Sequence, residues 1–219
     1  MFSTEKALKI QETLSKFIFK KGEFKKLEII AGVDAAYFKE LGIGAAVAID
    51  YLTLKPLEKA FSILKVKVPY IPGFLAFREL PVMLKALKNF SLNPDVIIVN
   101  GHGLAHPRKF GLACHLGFAL NKPTIGVAKS RLYGIEKENF LINEELIGYV
   151  LKFKKRKIYV SVGNKISLEE AVEIVKHCSP KGFPEPLKLA HEEASKKKQE
   201  LMLKPVSYTH LTLPTSDLV

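Results

Sequence analysis

The sequence predicts a mixed α/β fold, and three patterns carry that prediction. Residues 27–68 hold three apolar, strand-like runs separated by short turn signals. Two further runs, at 95–100 and 123–128, are short and nearly all apolar, with a helical pattern before each. Amphipathic segments open and close the chain. Consecutive short strands read as an antiparallel meander, whereas helix–strand alternation requires crossovers and therefore parallel pairing. A sheet of mixed sense flanked by helices accommodates both.

Taken in order, residues 4–21 place Leu8, Ile10, Leu14, Phe17 and Ile18 at helical spacing. Runs 27–37, 43–52 and 58–68 form the meander, punctuated by Gly42 and by Lys55-Pro56. After Pro72-Gly73 a helix is expected over about 75–90, with Leu75, Leu80, Leu84 and Leu87 on its apolar side. The run DVIIVN at 95–100 has the composition of a strand buried on both faces. A helix at about 110–121 leads to a second such strand, PTIGVA at 123–128. Segments 146–153 and 157–163 read as a hairpin turning at 154–156, and helices are expected over 168–178 and 186–203. Residues 1–204 are read as one domain. The final stretch, PVSYTHLTLPTSDLV at 205–219, has no Lys, Arg or Glu and reads as a non-native or disordered tail.

The composition narrows the function classes. Of 219 residues, 34 are Lys or Arg and 22 are Asp or Glu, a formal charge of +12. Such an excess suits a polyanionic partner, because cations that neutralise phosphates release condensed counterions. No run approaches the ~20 apolar residues of a membrane span. The charged N-terminal segment lacks the apolar core of a secretion signal, so a cytoplasmic protein without a membrane partner is expected. Cys114 and Cys178 are too few for a disulfide framework and lack metal-ligand spacing, which leaves buried thiols.

Four clusters could carry chemistry. Aspartate occurs only at positions 34, 50, 95 and 217, and Asp34 sits within an apolar run. An unpaired carboxylate there costs several kcal/mol unless something stabilises it, and a divalent cation is one such partner. In the second cluster Pro69 and Pro72 bracket Tyr70 and Ile71, a stiff loop with an aromatic suited to stack on or wedge between bases. Glu79 follows in the first turns of the next helix. The third cluster starts where a buried strand ends at Asn100. Gly101 and Gly103 let the chain turn tightly, and His102, His106 and Arg108 bring acid–base capacity and a phosphate ligand to one short loop. Ligands of α/β sheets gather beyond the carboxyl ends of such strands. In the fourth, Lys129 and Arg131 follow the next buried strand, where a lysine can neutralise a phosphate.

Together these clusters resemble the endonuclease V family. The resemblance rests on GVDAAY at 32–37, VPYIPGFLAFRE at 68–79, NGHGLAHPRKFG at 100–111 and GVAKSRL at 126–132, and it extends over roughly residues 5–200. It implies a ribonuclease H-like fold and cleavage of DNA or RNA at the second phosphodiester 3′ of a deaminated adenine, inosine, with Mg²⁺ or Mn²⁺. It implies metal binding by Asp34, Glu79 and position 100, and a wedge role for Tyr70. His106 and Lys129 carry over as groups near the water and the scissile phosphate. The turn Gly101–His102–Gly103–Leu104, with Gly126 and Ser130, is implied as a pocket for the flipped base, and His191 as a further contact. A monomer is expected.

The chain departs from that pattern at Asn100, where a third carboxylate is expected. An amide oxygen ligates a hard cation but carries no charge, so reduced activity is anticipated. Asp95, five residues upstream on the same strand, points to the opposite face and offers no replacement. Two alternatives stand beside this reading. One is a catalytically silent binding module for inosine-containing nucleic acid. The other is a different ribonuclease H-like repair nuclease resembling the C-terminal half of UvrC, against which the Tyr70 loop argues.

Overall fold

The computed structural model describes residues 2–22, 26–154 and 156–203. Helix α1 (Thr4–Leu14) and a 3-10 turn (Ser15–Phe17) lead to strands β1 (Ile29–Phe38), β2 (Leu41–Asp50) and β3 (Pro56–Lys65). Next come α2 (Leu75–Lys88), β4 (Val96–Asn100), α3 (Leu112–Leu120) and β5 (Thr124–Ala128). Four more strands follow, β6 (Ile135–Lys137), β7 (Phe140–Asn143), β8 (Glu145–Phe153) and β9 (Arg156–Asn164), and then α4 (Leu168–His177) and α5 (Glu185–Leu203). The nine strands form one sheet in the order β3-β2-β1-β4-β5-β9-β8-β7-β6. β1 pairs antiparallel with β2 and parallel with β4, and β4 pairs parallel with β5. This is the mixed sheet of a ribonuclease H-like fold.

Alternation along the strands distributes the core between the two faces. Ala31, Val33, Ile97 and Val99 pack with Ala76 and Met83 of α2 and Ala113 and Leu116 of α3. Ile30 and Ile98, of opposite parity, pack with Leu187 and Ala190 of α5 and with α4. Asp34 and Asn100 share the parity of Ile30 and Ile98, so both turn toward the α5 side. Gly32 fixes how closely α5 approaches: a Cβ there would lie 2.3 Å from the Pro186 carbonyl oxygen. That close approach carries His191 to Asp34, midway along β1.

The first helix departs from the expected pattern. It stops at Leu14, and its buried residues are Ala7 and Gln11, while Leu8 and Ile10 are exposed. The helix lies on a loop whose carbonyls need a donor, and Gln11 supplies it, so a polar residue occupies the inner face. The hairpin of β8 and β9 is present, and the β6–β7 pair extends it. Their sequence, IEKENFLIN at 135–143, is too short and too charged to show strand alternation. Helix α3 starts at Leu112 because Phe110 and Gly111 belong to the preceding turn, Gly111 being extended at the N-cap. Both cysteines are buried and free, and burial pushes each thiol up to about 12. No helix among the described residues is long and apolar enough to cross a membrane. The expected tail at 205–219 lies outside the described residues.

Candidate active site

Parallel pairing of β1 and β4 runs as far as Val33 opposite Val99, which sets Asp34, midway along β1, beside Asn100, the last residue of β4. Asp34 is 5% exposed, so its carboxylate needs partners. Oδ1 accepts hydrogen bonds from the Ala35 amide at 2.8 Å and from Asn100 Nδ2 at 2.9 Å. Oδ2 lies 2.7 Å from Nδ1 of His191, delivered by α5. Asp95, at the other end of the sheet, caps the backbone N–H groups of Glu28 and Ile29 and takes no part.

Glu79 approaches the same point from α2. Burial, and then the Asp34 carboxylate, push its carboxyl up to about 8. Two carboxylates converging in a poorly hydrated place repel each other, and a cation between them relieves both the repulsion and the lost hydration. The donors suit a hard divalent ion that binds through one or two carboxylates and retains waters. Asn100 adds only a neutral amide oxygen, and its amide nitrogen faces Asp34. Among the described residues no three His, Cys, Asp or Glu side chains form a metal cluster. Asp34 and Glu79 thus offer a hard cation two carboxylates, with a neutral amide beside them in place of a third. Tyr37, absent from the sequence-derived site, keeps its hydroxyl buried without a hydrogen-bond partner among the described residues. Burial and the Glu79 charge hold that hydroxyl well above its ordinary range. The Arg78 guanidinium stacks on the Tyr37 ring at 4.2 Å and donates to the Val68 carbonyl, tying the foot of the Pro69–Pro72 loop to the sheet.

The turn after β4 acts mainly as a brace for that loop. His106 Nδ1 accepts from the Arg108 amide at 3.2 Å, so Nε2 carries the proton and donates to the Gly73 carbonyl at 3.0 Å. Burial, with the Arg108 charge, depresses the imidazole to about 4, which keeps it neutral near pH 7. Arg108 Nη2 donates to the same carbonyl at 2.6 Å, and its Nε to Gln11 Oε1 at 2.7 Å. Gln11 Nε2 donates to Gly73 at 3.1 Å, and the Arg108 guanidinium sits 4.5 Å from the Phe74 ring centroid. Three side chains thus converge on one carbonyl. Arg108, expected on a phosphate, here gives Nε to Gln11 of α1 and Nη2 to the Gly73 carbonyl, and His106 shares that carbonyl. Neither Gln11 nor Tyr37 carried a sequence signal, since each looks like an ordinary helix or strand residue.

Anchored at Gly73, the loop holds Tyr70 68% exposed at its tip. Beneath it opens a cavity of about 360 Å³, walled by Tyr70, Pro72, Asn100, His102, Lys129 and Ser130 among others. Gly101 also lines it, and Pro69 and Ile71 flank Tyr70 in the loop. Gly103, Leu104 and Gly126 lie beneath the turn rather than in the wall: a Cβ on Gly126 would sit 2.5 Å from the Gly103 nitrogen. Burial depresses His102 to about 4, and its Nδ1 is buried without a partner among the described residues. The Gly101 amide donates to the Val127 carbonyl at 2.9 Å, which places Lys129 and Arg131 beside the turn as the sequence suggests. Base-sized space, an exposed aromatic, two carboxylates and free cations therefore meet at one sheet end.

Residues 12–192 match the family model of endonuclease V. The endonuclease V of Dictyoglomus thermophilum is 40% identical over 199 residues, covering 85% of this chain and 87% of that protein. Among solved structures, the endonuclease V of Streptomyces avermitilis superposes with a TM-score of 0.86 at 31% identity, over 92% of this chain and 96% of that one. The endonuclease V of Ciona intestinalis, crystallised with a 23-mer DNA containing an inosine followed by a ribo-adenosine, superposes at 0.83 with 28% identity, over 91% and 100%.

Proposed function

This chain belongs to the endonuclease V family, whose members are nucleic-acid endonucleases, and from that premise we propose that it nicks inosine-containing strands. The cut falls at the second phosphodiester 3′ of the deaminated adenine, in DNA or RNA, with the altered base turned into the cavity beside Asn100. One observation carries this reading. The Asp34–Asn100–Glu79 group and a base-sized cavity under an exposed tyrosine share one sheet end, with Asn100 part of both.

The residues divide the task. Asp34 and Glu79 would hold a divalent cation, Mg²⁺ or Mn²⁺, with Asn100 offering its amide oxygen. When bound, the cation supplies charge neutralisation at the nonbridging phosphate oxygen and a lowered pKa for water. His191 steadies the Asp34 carboxylate by occupying Oδ2. Lys129, exposed just beyond β5, balances negative charge on the phosphate. Tyr70 fills the gap left by the extruded base, offsetting the few kcal/mol of unstacking. His106 and Arg108 act at one remove by holding Gly73, and so the loop.

A second reading has its own support. Asn100 donates to the Asp34 oxygen that a cation would use. On that basis this copy binds inosine-containing strands and cuts them slowly or not at all. Nicking of matched inosine and adenine oligonucleotides, with Mg²⁺ or with EDTA, separates the two. Lesion-dependent cuts in Mg²⁺ alone support the nuclease; binding selectivity without cuts supports the binding module.

A further inference from the structure

A second hollow, of about 320 Å³, lies on the other side of Lys129 from the base cavity. Its walls are Lys129, Arg156, Lys181, Phe183, Lys188 and His191, with no carboxylate among them. The cations come from four places in the chain: Lys129 just past β5, Arg156 at the start of β9, Lys181 in the α4–α5 connection and Lys188 in the first turn of α5. Lys188 is compensated by Glu185 at 3.1 Å and Glu192 at 4.0 Å. Lys129, Arg156 and Lys181 are exposed and form no ion pair among the described residues. Lys129 instead lies 5.1 Å over the Phe183 ring.

We propose that this hollow holds the backbone phosphates of the strand 3′ of the cut, with Arg156 and Lys181 as its anchoring pair. The inference rests on the endonuclease reading above and extends it to a subsite. Converging like charges repel, and an anion threaded among them reverses the sign of that interaction. Placement gives the direction. Lys129 borders both hollows, and His191 joins the second to Asp34. A strand with its altered base in the first hollow and its backbone in the second must therefore cross the Asp34–Asn100 pair on the way. Phe183 offers an apolar floor on which a base of that segment can rest.

The test is fluorescence anisotropy in EDTA, with single-stranded oligonucleotides carrying one inosine. The 5′ arm is fixed and the 3′ arm is lengthened from one nucleotide to six; a second series lengthens only the 5′ arm. Affinity of the unaltered protein rises with the 3′ arm. In the Arg156→Ser/Lys181→Ser variant that gain is lost, and the slope of log K against log salt falls by about 1.4, at ~0.7 per single-strand phosphate contact. The inosine-over-adenine ratio is retained. Both side chains are exposed, so the melting temperature should hold, and the charge-retaining Arg156→Lys/Lys181→Arg variant should recover the slope. The proposal is overturned if the serine variant keeps the 3′-arm gain and the full slope, or if only the 5′ arm adds affinity. Loss of all inosine preference in the unaltered protein would instead remove the endonuclease reading beneath it.

Discussion

Replacing Asn100 with aspartate should make the cation-free protein less stable and the cation-loaded protein more active. Asn100 Nδ2 stands 2.9 Å from Asp34 Oδ1 as a donor, so Asn100→Asp converts a hydrogen bond into an apposition of like charges. Two such charges relaxed to about 4 Å in an effective dielectric of ~20 repel by ~4 kcal/mol. Proton uptake and side-chain movement absorb part of that. Since 1 kcal/mol moves the melting temperature by ~2–4 °C in a chain of this size, a drop of several degrees in EDTA is expected. With a divalent ion the sign reverses, because the added charge now faces a cation. If the same ~4 kcal/mol is realised in the transition state, at ~1.4 kcal/mol per decade, nicking rises by two to three orders of magnitude. Paired melts in EDTA and Mn²⁺, with single-turnover nicking, measure both halves. A variant that melts higher in EDTA and gains nothing from Mn²⁺ would refute the reasoning. Spontaneous deamidation of Asn100-Gly101 should not mimic the variant, since the Gly101 nitrogen is held by Val127 and the amide by Asp34. Peptide mapping of fresh and aged protein checks that point.

Tyr70→Ala should lower affinity for inosine strands by ~1–3 kcal/mol while undamaged strands bind nearly as before, because stacking is lost and phosphate contacts remain; equal loss on both counts against the wedge. Arg108→Ala should lower the melting temperature and reduce inosine discrimination together, since it frees the loop at Gly73 and strands Gln11. A salt slope reduced by about 1 with an unaltered melt would show Arg108 to be a phosphate ligand after all. Glu79 titrates higher in the folded chain, about 8 against an ordinary 4.5. The fold thus favours its protonated form, and that stabilisation is present below pH ~4.5 and lost as pH rises through about 8. In EDTA the melting temperature of the unaltered protein should therefore fall across that window relative to Glu79→Gln; parallel curves would exclude the effect.

The sense of pairing of the core strands was legible because buried β4 and β5 read as uninterrupted apolar runs and the meander as consecutive short ones, whereas their order across the sheet came from the structure. The ends of elements were less so. Gln11 on the inner face of α1 answers to a carbonyl 62 positions away, which no local periodicity reports. β6 and β7 are paired by register with β8 rather than by composition of their own. Within the site, Asp34 and Glu79 stood out because carboxylates are rare beside apolar runs, and the Pro-bracketed Tyr70 because two prolines stiffen its loop. His106 and Arg108 were legible as a pair, but their shared contact with the Gly73 carbonyl was not. Whether an arginine meets a phosphate or a carbonyl depends on which loop folds onto it, and Gly73 lies 35 residues away. Tyr37 and Arg78 gave no signal of their own, since what they do comes from stacking on each other and from the Arg78 contact with the Val68 carbonyl.

The central claim is that the Asp34–Asn100–Glu79 end of the sheet cuts strands selectively beside inosine. Its most direct test is the product map of a 5′-labelled oligonucleotide containing one inosine, incubated with Mg²⁺ or Mn²⁺, beside an adenine control and an Asp34→Ala variant. The account predicts one product, ending one nucleotide past the inosine, slow in the unaltered protein, faster in Asn100→Asp, and absent with EDTA, adenine or Asp34→Ala. Cuts at the same rate in the adenine strand, or unaltered cutting by Asp34→Ala, would contradict it.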